Sequence, residues 1–210
     1  MKVAYLTVGP VAENTFLAVN EETGEALLID PGDDADRIAE AIEKSAATVG
    51  AILVTHTHFD HVGAVAEMAR RTGAEVWVPR LEHAMLADID KYMRMTGFGP
   101  FESYDAEHDV DGGDKLRLAG FDIDVFFTPG HSIGHVSYSI PEHGALFSGD
   151  VIFQGSIGRT DLPGGDHQTL LDSIAMLARE LPPETAIFPG HMGVTTLAQE
   201  QDTNPFLARA

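Results

Sequence analysis

The chain has 210 residues, 44% hydrophobic and 22% charged, which suits one globular domain spanning 1–210 with a substantial core. Acidic residues outnumber basic ones 33 to 13, a formal net charge of -20, so the surface repels phosphate backbones and no nucleic-acid partner is expected. No cysteine is present, which rules out disulfides, thiolate metal ligands and a cysteine nucleophile together.

The N-terminal stretch Met1-Lys2-Val3-Ala4-Tyr5-Leu6 lacks the long apolar core of a signal peptide. No apolar run approaches membrane-spanning length, so a cytoplasmic, soluble protein without a membrane partner is expected. Residues 2–8, 15–19 and 26–30 are rich in apolar and β-branched side chains separated by turn residues, and they predict three strands. Ile38, Ala41, Ile42 and Ala46 are spaced for a helix over 36–47. A buried strand is predicted over 51–55, a helix over 62–71, a strand over 75–78 stopped by Pro79, and a helix over 81–89. Between Lys91 and Asp114, Gly97, Gly99, Pro100, Gly112 and Gly113 predict a long irregular connection. Strand pairs follow at 115–118 with 121–127 and at 136–140 with 145–147. Residues 149–165 are a Gly-rich loop region with an apolar island, Val151-Ile152-Phe153. A helix over 169–181 stopped by Pro182-Pro183, a strand over 186–188 and a short helix over 196–201 complete the chain. Strands come in groups with helices between them, so this is an α/β chain but not a simple βαβ alternation.

Four metal-capable side chains are crowded into His56-Thr57-His58-Phe59-Asp60-His61, directly after the apolar run 51–55. If the backbone stays extended, His56, His58 and Asp60 point one way, and the chain must turn to bring in His61. Three later places repeat the device: Thr128-Pro129-Gly130-His131, Ser148-Gly149-Asp150 and Pro189-Gly190-His191 each set one ligand-type residue just past a strand, after a glycine that permits a sharp turn. The set His56, His58, Asp60, His61, His131, Asp150 and His191 is too large for one tetrahedral ion. Two ions fit the count if Asp150 bridges them, and imidazole with carboxylate suits zinc, iron or manganese better than magnesium or calcium. His83, His108, His143 and His167 read as surface or capping residues. His135, four residues after His131, reads as core or surface, with support of a metal ligand as the alternative.

Thr55-His56-Thr57-His58-Phe59-Asp60-His61 resembles the signature of the metallo-β-lactamase superfamily, and the three later motifs match its order, as does the early Ile29-Asp30-Pro31-Gly32. The resemblance implies an αββα sandwich of two mixed β-sheets flanked by helices. It implies that His56, His58 and His131 hold the first metal, that Asp60, His61 and His191 hold the second, and that Asp150 bridges. Within the superfamily the chain is similar to glyoxalase II, the hydroxyacylglutathione hydrolases. In that family a basic residue in the loop matched by Gly155-Ser156-Ile157-Gly158-Arg159 contacts glutathione, which makes Arg159 the candidate substrate-binding residue, with pairing to Asp161 as the alternative. Residues 192–210 after His191 are too few for the family's C-terminal glutathione-binding domain, so a single-domain type is expected. The implied activity is hydrolysis of small-molecule thioesters such as S-2-hydroxyacylglutathione by a hydroxide bridging two zinc ions, with Asp60 also orienting the nucleophile. Iron or manganese are alternative metals. A mononuclear iron persulfide dioxygenase is the alternative enzyme: the chain shares Gly158-Arg159-Thr160-Asp161 with that family but departs from it at Leu162-Pro163-Gly164-Gly165. A lactonase of the same fold is another. β-Lactamases that use a cysteine ligand are set aside by composition.

Overall fold

The computed structural model describes residues 1–92 and 99–207 and divides into two compact units, Met1–Val110 with Arg117–Phe121, and Asp111–Leu116 with Asp122–Ala210. Gly97, one of the residues marking the expected irregular connection, lies outside the described residues.

The first unit is built on a six-stranded sheet, β1 (Lys2–Val8), β2 (Glu13–Val19), β3 (Glu25–Ile29), β4 (Thr48–Leu53), β5 (Val76–Pro79) and β6 (His108–Val110), in that order. The first three strands are antiparallel and β3 to β6 run parallel, so the sheet is mixed. From Ala26 to Ile29 every residue of β3 is buried, as a strand covered on both faces requires. Among the described residues, five helices accompany the sheet: α1 (Ala35–Ser45), α2 (Phe59–Val62), α3 (Val65–Thr72), α4 (His83–Ala87) and α5 (Ile89–Tyr92), with a 3-10 turn at Arg80–Glu82. Leu17, Leu28, Ile38, Ile52, Val65, Met68, Val76 and Leu86 belong to one buried core.

The second unit carries the start of β7 (Lys115–Leu118), all of β8 (Phe121–Phe127) after Phe121, and β9 (Val136–Ile140), β10 (Ala145–Gly149), β11 (Ile152–Phe153), β12 (Ser156–Ile157), α6 (His167–Glu180), β13 (Ala186–Pro189), β14 (Thr195–Thr196) and α7 (Leu197–Thr203). Its main sheet has the order β14-β13-β10-β9-β8-β7, and only the β10–β13 pair is parallel among the pairs from β8 to β14. Leu170, Ile174 and Leu177 recur at helical spacing along α6 and pack with Leu146, Ile152 and Ile187. The Asp166 side chain caps that helix by accepting the Thr169 N–H at 2.8 Å. No helix among the described residues is long and apolar enough to cross a membrane.

Several sequence expectations shift in the structure. The helix expected over 62–71 is two helices, and α2 already contains Asp60 and His61. The extended arrangement of His56, His58 and Asp60 is therefore replaced by a one-turn helix that aims Asp60. The helix expected to run to 47 stops at Ala46, which turns left-handed with φ 56 and returns its N–H to the Glu43 carbonyl. β6 lies inside the span expected to be irregular, and β11 with β12 makes a hairpin inside the Gly-rich loop. Two- and three-residue strands are too short for periodicity to reveal.

Candidate metal centre

In the first unit β4 ends at Leu53, and the N–H groups of Thr55 and Thr57 beyond it are held by side chains instead of a ladder. Asp30, at the end of β3, is 2% exposed. Its Oδ1 accepts the Thr55 N–H at 2.7 Å, and its Oδ2 accepts the Thr55 hydroxyl at 2.6 Å and His61 Nδ1 at 3.0 Å. Asp30 itself has φ 48 and turns into Pro31-Gly32. A Cβ on Gly32 would lie 1.7 Å from the Asp60 carbonyl oxygen, so only glycine lets α2 approach this turn. Glu82, also buried, accepts both the N–H and the hydroxyl of Thr57 on one oxygen, at 2.6 and 2.9 Å.

These partners determine the imidazole tautomers. The Thr55 hydroxyl gives its proton to Asp30, so at 3.1 Å it must accept from His56 Nδ1, and the His56 lone pair is on Nε2. That Nε2 lies 3.1 Å from His58 Nδ1, within the span of two donors about 2.1 Å from one shared ion. His61 donates from Nδ1 to Asp30, which leaves its lone pair on Nε2, 3.9 Å from Asp60 Oδ2. His56 and His61 are fully buried, whereas Asp60 retains 14% exposure. Glu13, from β2, is buried beside this cluster, with Oε1 3.8 Å from His61 Nδ1. Burial pushes its carboxyl pKa well above the ordinary range, the nearby His61 opposing that only in part. Donor atoms of Glu13, Asp30 and His61 all lie within 4.8 Å of one another.

In the second unit, Gly130 takes φ 125, and a Cβ there would lie 2.2 Å from the Leu170 nitrogen, so the His131 turn packs directly on α6. His131 Nδ1 donates to the Arg159 carbonyl at 2.7 Å, leaving the lone pair on Nε2, which stands 3.4 Å from Asp150 Oδ2. The same Asp150 oxygen is 3.6 Å from His191 Nε2. The Asp150 N–H donates to His135 Nε2 at 3.0 Å, so His135 carries its proton on Nδ1, toward Thr128 Oγ1 at 2.9 Å. Thr128 then meets Ser137, and Ser137 donates to the Ser148 carbonyl at 3.2 Å. His135 is thus a fully buried support for Asp150, the alternative rather than the main reading of the sequence. A Cβ on Gly158 would lie 2.0 Å from the Asp150 carbonyl, so this glycine closes the loop against the same site.

Arg159 is exposed, and its guanidinium pairs bidentately with Asp161, Nε and one Nη each at 2.7 Å. That partner draws the Asp161 carboxyl down to about 2. Among the other histidines, His83 lies between Asp109 at 2.6 Å and Asp105 at 2.9 Å, and His108 bonds Glu75 at 2.8 Å. Asp30, Glu13 and Glu82 were not singled out as site residues by the sequence. Their signal is a charged residue in a strand or turn that is otherwise buried.

The donor set fits a metal. All donors are imidazole nitrogen or carboxylate oxygen, and the bare Nε2 of His131 stands against an Asp150 carboxylate oxygen at 3.4 Å. Such pairs repel unless a proton or a cation lies between them.

Residues 8–191 match the model of the metallo-beta-lactamase superfamily. A hydroxyacylglutathione hydrolase, GloC, of Haemophilus influenzae is 34% identical over 209 residues, 99% of this chain and 98% of the relative. The solved BLEG-1 B3 metallo-beta-lactamase is 40% identical, with a TM-score of 0.91, covering 98% of this chain and 99% of that one. TTHA1623, solved in a di-iron-bound form, is 38% identical with a TM-score of 0.86, covering 97% and 100%. The fold class is therefore the one expected, with mixed sheets flanked by helices. The chain belongs to the metallo-β-lactamase superfamily, a superfamily of metal-dependent hydrolases.

Proposed function

We propose that the chain is a binuclear metallohydrolase of small-molecule thioesters of the S-2-hydroxyacylglutathione kind. In this reading His56, His58 and His131 would hold one ion, Asp60, His61 and His191 would hold the other, Asp150 would serve both, and the two units would act as one domain. The observation that carries it is the position of Asp150: one carboxylate oxygen lies within 3.6 Å of both His131 Nε2 and His191 Nε2, as an oxygen shared by two ions would. Two bound cations supply an acidified water and a Lewis acid for the thioester carbonyl. The chain's own residues do the rest. Asp30 and the Arg159 carbonyl hold His61 and His131 in the ligating tautomer. His135 holds the backbone of Asp150, and Asp60, partly exposed on α2, orients the nucleophile. Arg159 binds an anionic part of the substrate by exchanging Asp161 for a substrate carboxylate, since an exposed pair of this kind is held only weakly.

Zinc is the expected metal, and the di-iron-bound relative makes iron its rival. A second reading, β-lactam hydrolysis, is favoured by the 40% identity to a B3 metallo-beta-lactamase, because the lack of cysteine sets aside only enzymes that need a thiolate ligand. Metal analysis of the purified protein paired with three assays decides. Two zinc ions per chain with thioester hydrolysis that stops on chelation support the proposal. One iron with oxygen consumption on glutathione persulfide, or hydrolysis of a penicillin without thioesterase activity, overturns it.

A further inference from the structure

The segment that carries His56 and His58 has an unusual means of support. Two threonines alternate with the histidines, and each is gripped at two points by one buried carboxylate: Thr55 by Asp30, and Thr57 by Glu82. A loop outside a sheet must find partners for its buried N–H groups elsewhere, and here carboxylates supply them. Glu82 comes from the 3-10 turn after β5, twenty-five positions along the chain from Thr57, and it is 1% exposed. Burying a carboxylate is costly unless strong hydrogen bonds repay it. A neutral acceptor would satisfy Thr57 at less cost, so the charge calls for a function.

We propose that Glu82 is a positioning residue of the metal centre. Its carboxylate sets the directions of His56 and His58 and adds a fixed negative charge behind them. The peptide N–H of Thr57 belongs to the plane that follows His56, so holding it fixes the backbone on which the His56 imidazole stands. Holding the Thr57 hydroxyl as well fixes the side chain that separates His56 from His58. The His56 Nε2 to His58 Nδ1 separation of 3.1 Å is the geometry this grip maintains. The inference rests on the metal-centre reading above and does not depend on the substrate.

The test uses Co2+ binding to the full chain, followed by its visible absorption and by competition with a chelator of known affinity. Glu82→Gln keeps the shape but loses the charge, Glu82→Ala removes the grip, and Thr57→Val removes only the hydroxyl. Loss of a partner that orients a metal ligand weakens binding about 10–100-fold. We expect Glu82→Ala near the upper end of that range, with Glu82→Gln and Thr57→Val near the lower end and with shifted absorption bands. Adding Thr57→Val to Glu82→Ala should weaken binding no further, because the two act through one contact. A merely structural Glu82 would lower the melting temperature and leave affinity and spectrum alone. Folded Glu82→Gln and Thr57→Val proteins that bind Co2+ within twofold of the parent, with an unchanged spectrum, would overturn the proposal even if Glu82→Ala fails to fold. Failure of the parent chain to bind Co2+ would overturn the metal-centre reading itself, whereas a parent that binds but lacks thioesterase activity would leave the role of Glu82 standing.

Discussion

Replacing Asp30 by asparagine isolates one oxygen. Oδ1 can remain an acceptor for the Thr55 N–H, but Oδ2, which takes the Thr55 hydroxyl at 2.6 Å and His61 Nδ1 at 3.0 Å, becomes an NH2 group. Donor then faces donor at His61. The imidazole can escape only by moving its proton from Nδ1 to Nε2, the nitrogen assigned to the metal. Two hydrogen bonds to a charged acceptor are lost, each worth about 1.5–3 kcal/mol, in a site 2% exposed, so Asp30→Asn should cost about 3–5 kcal/mol. For a chain of this size that is a fall in melting temperature of about 10 °C. If the proposed two-ion centre is right, elemental analysis of the dialysed variant should find one metal ion per chain against two in the parent. Thermal unfolding followed by circular dichroism checks the first part and plasma emission the second. A variant melting within about 2 °C of the parent and keeping both ions would refute the tautomer argument.

Gly158→Ala should destabilise the second unit by about 2 kcal/mol or more, because its Cβ would meet the Asp150 carbonyl at 2.0 Å; Gly73→Ala, with nothing within 4 Å, should cost only the left-handed strain of about 1 kcal/mol. Urea midpoints of the two variants test the difference, and equal midpoints would count against the close approach. His83 donates to Asp105 and Asp109, which raise its pKa, while Arg80 shares Asp109. Its contribution is fully present below the ordinary histidine value of 6.5 and is lost as pH rises through the folded value. Unfolding of the parent should therefore become easier as pH rises above 6.5, and His83→Gln should flatten that slope; an identical slope in the variant would be the contrary result. With a net charge of -20, the melting temperature should rise between 0.05 and 1 M KCl as the Debye length falls to about 3 Å, and a flat response would show that like-charge repulsion is not limiting.

Much of the fold is legible in the sequence because its strands and longer helices are continuous periodic patterns. The run Ala51 to Val54, the amphipathic spacing of Leu170, Ile174 and Leu177, and the hairpin turn at Ala119-Gly120 declare themselves locally. β6, β11 and β12 do not, since two or three residues carry no period, and their strand state comes from the neighbour they pair with. The one-turn helix α2 was hidden for a related reason. Its start is allowed by Gly32, twenty-seven positions earlier than Phe59, whose missing side chain makes room for the Asp60 carbonyl.

By itself the sequence determined the superfamily and the chemical kind of the site, because ligand identity and a glycine or turn beside it are properties of neighbouring residues. Only the tertiary structure decided what holds those ligands in place. Asp30 and Glu82 reach Thr55 and Thr57 across twenty-five positions each, His135 reaches back around Thr128 to take the Asp150 N–H, and the Arg159 backbone, not its guanidinium, orients His131. Hydrogen bonds between distant segments leave no periodic trace in a chain, since each needs only one polar residue brought near by folding. The metal-binding signature is written in consecutive letters, and the tautomers that make it able to bind are set by residues elsewhere.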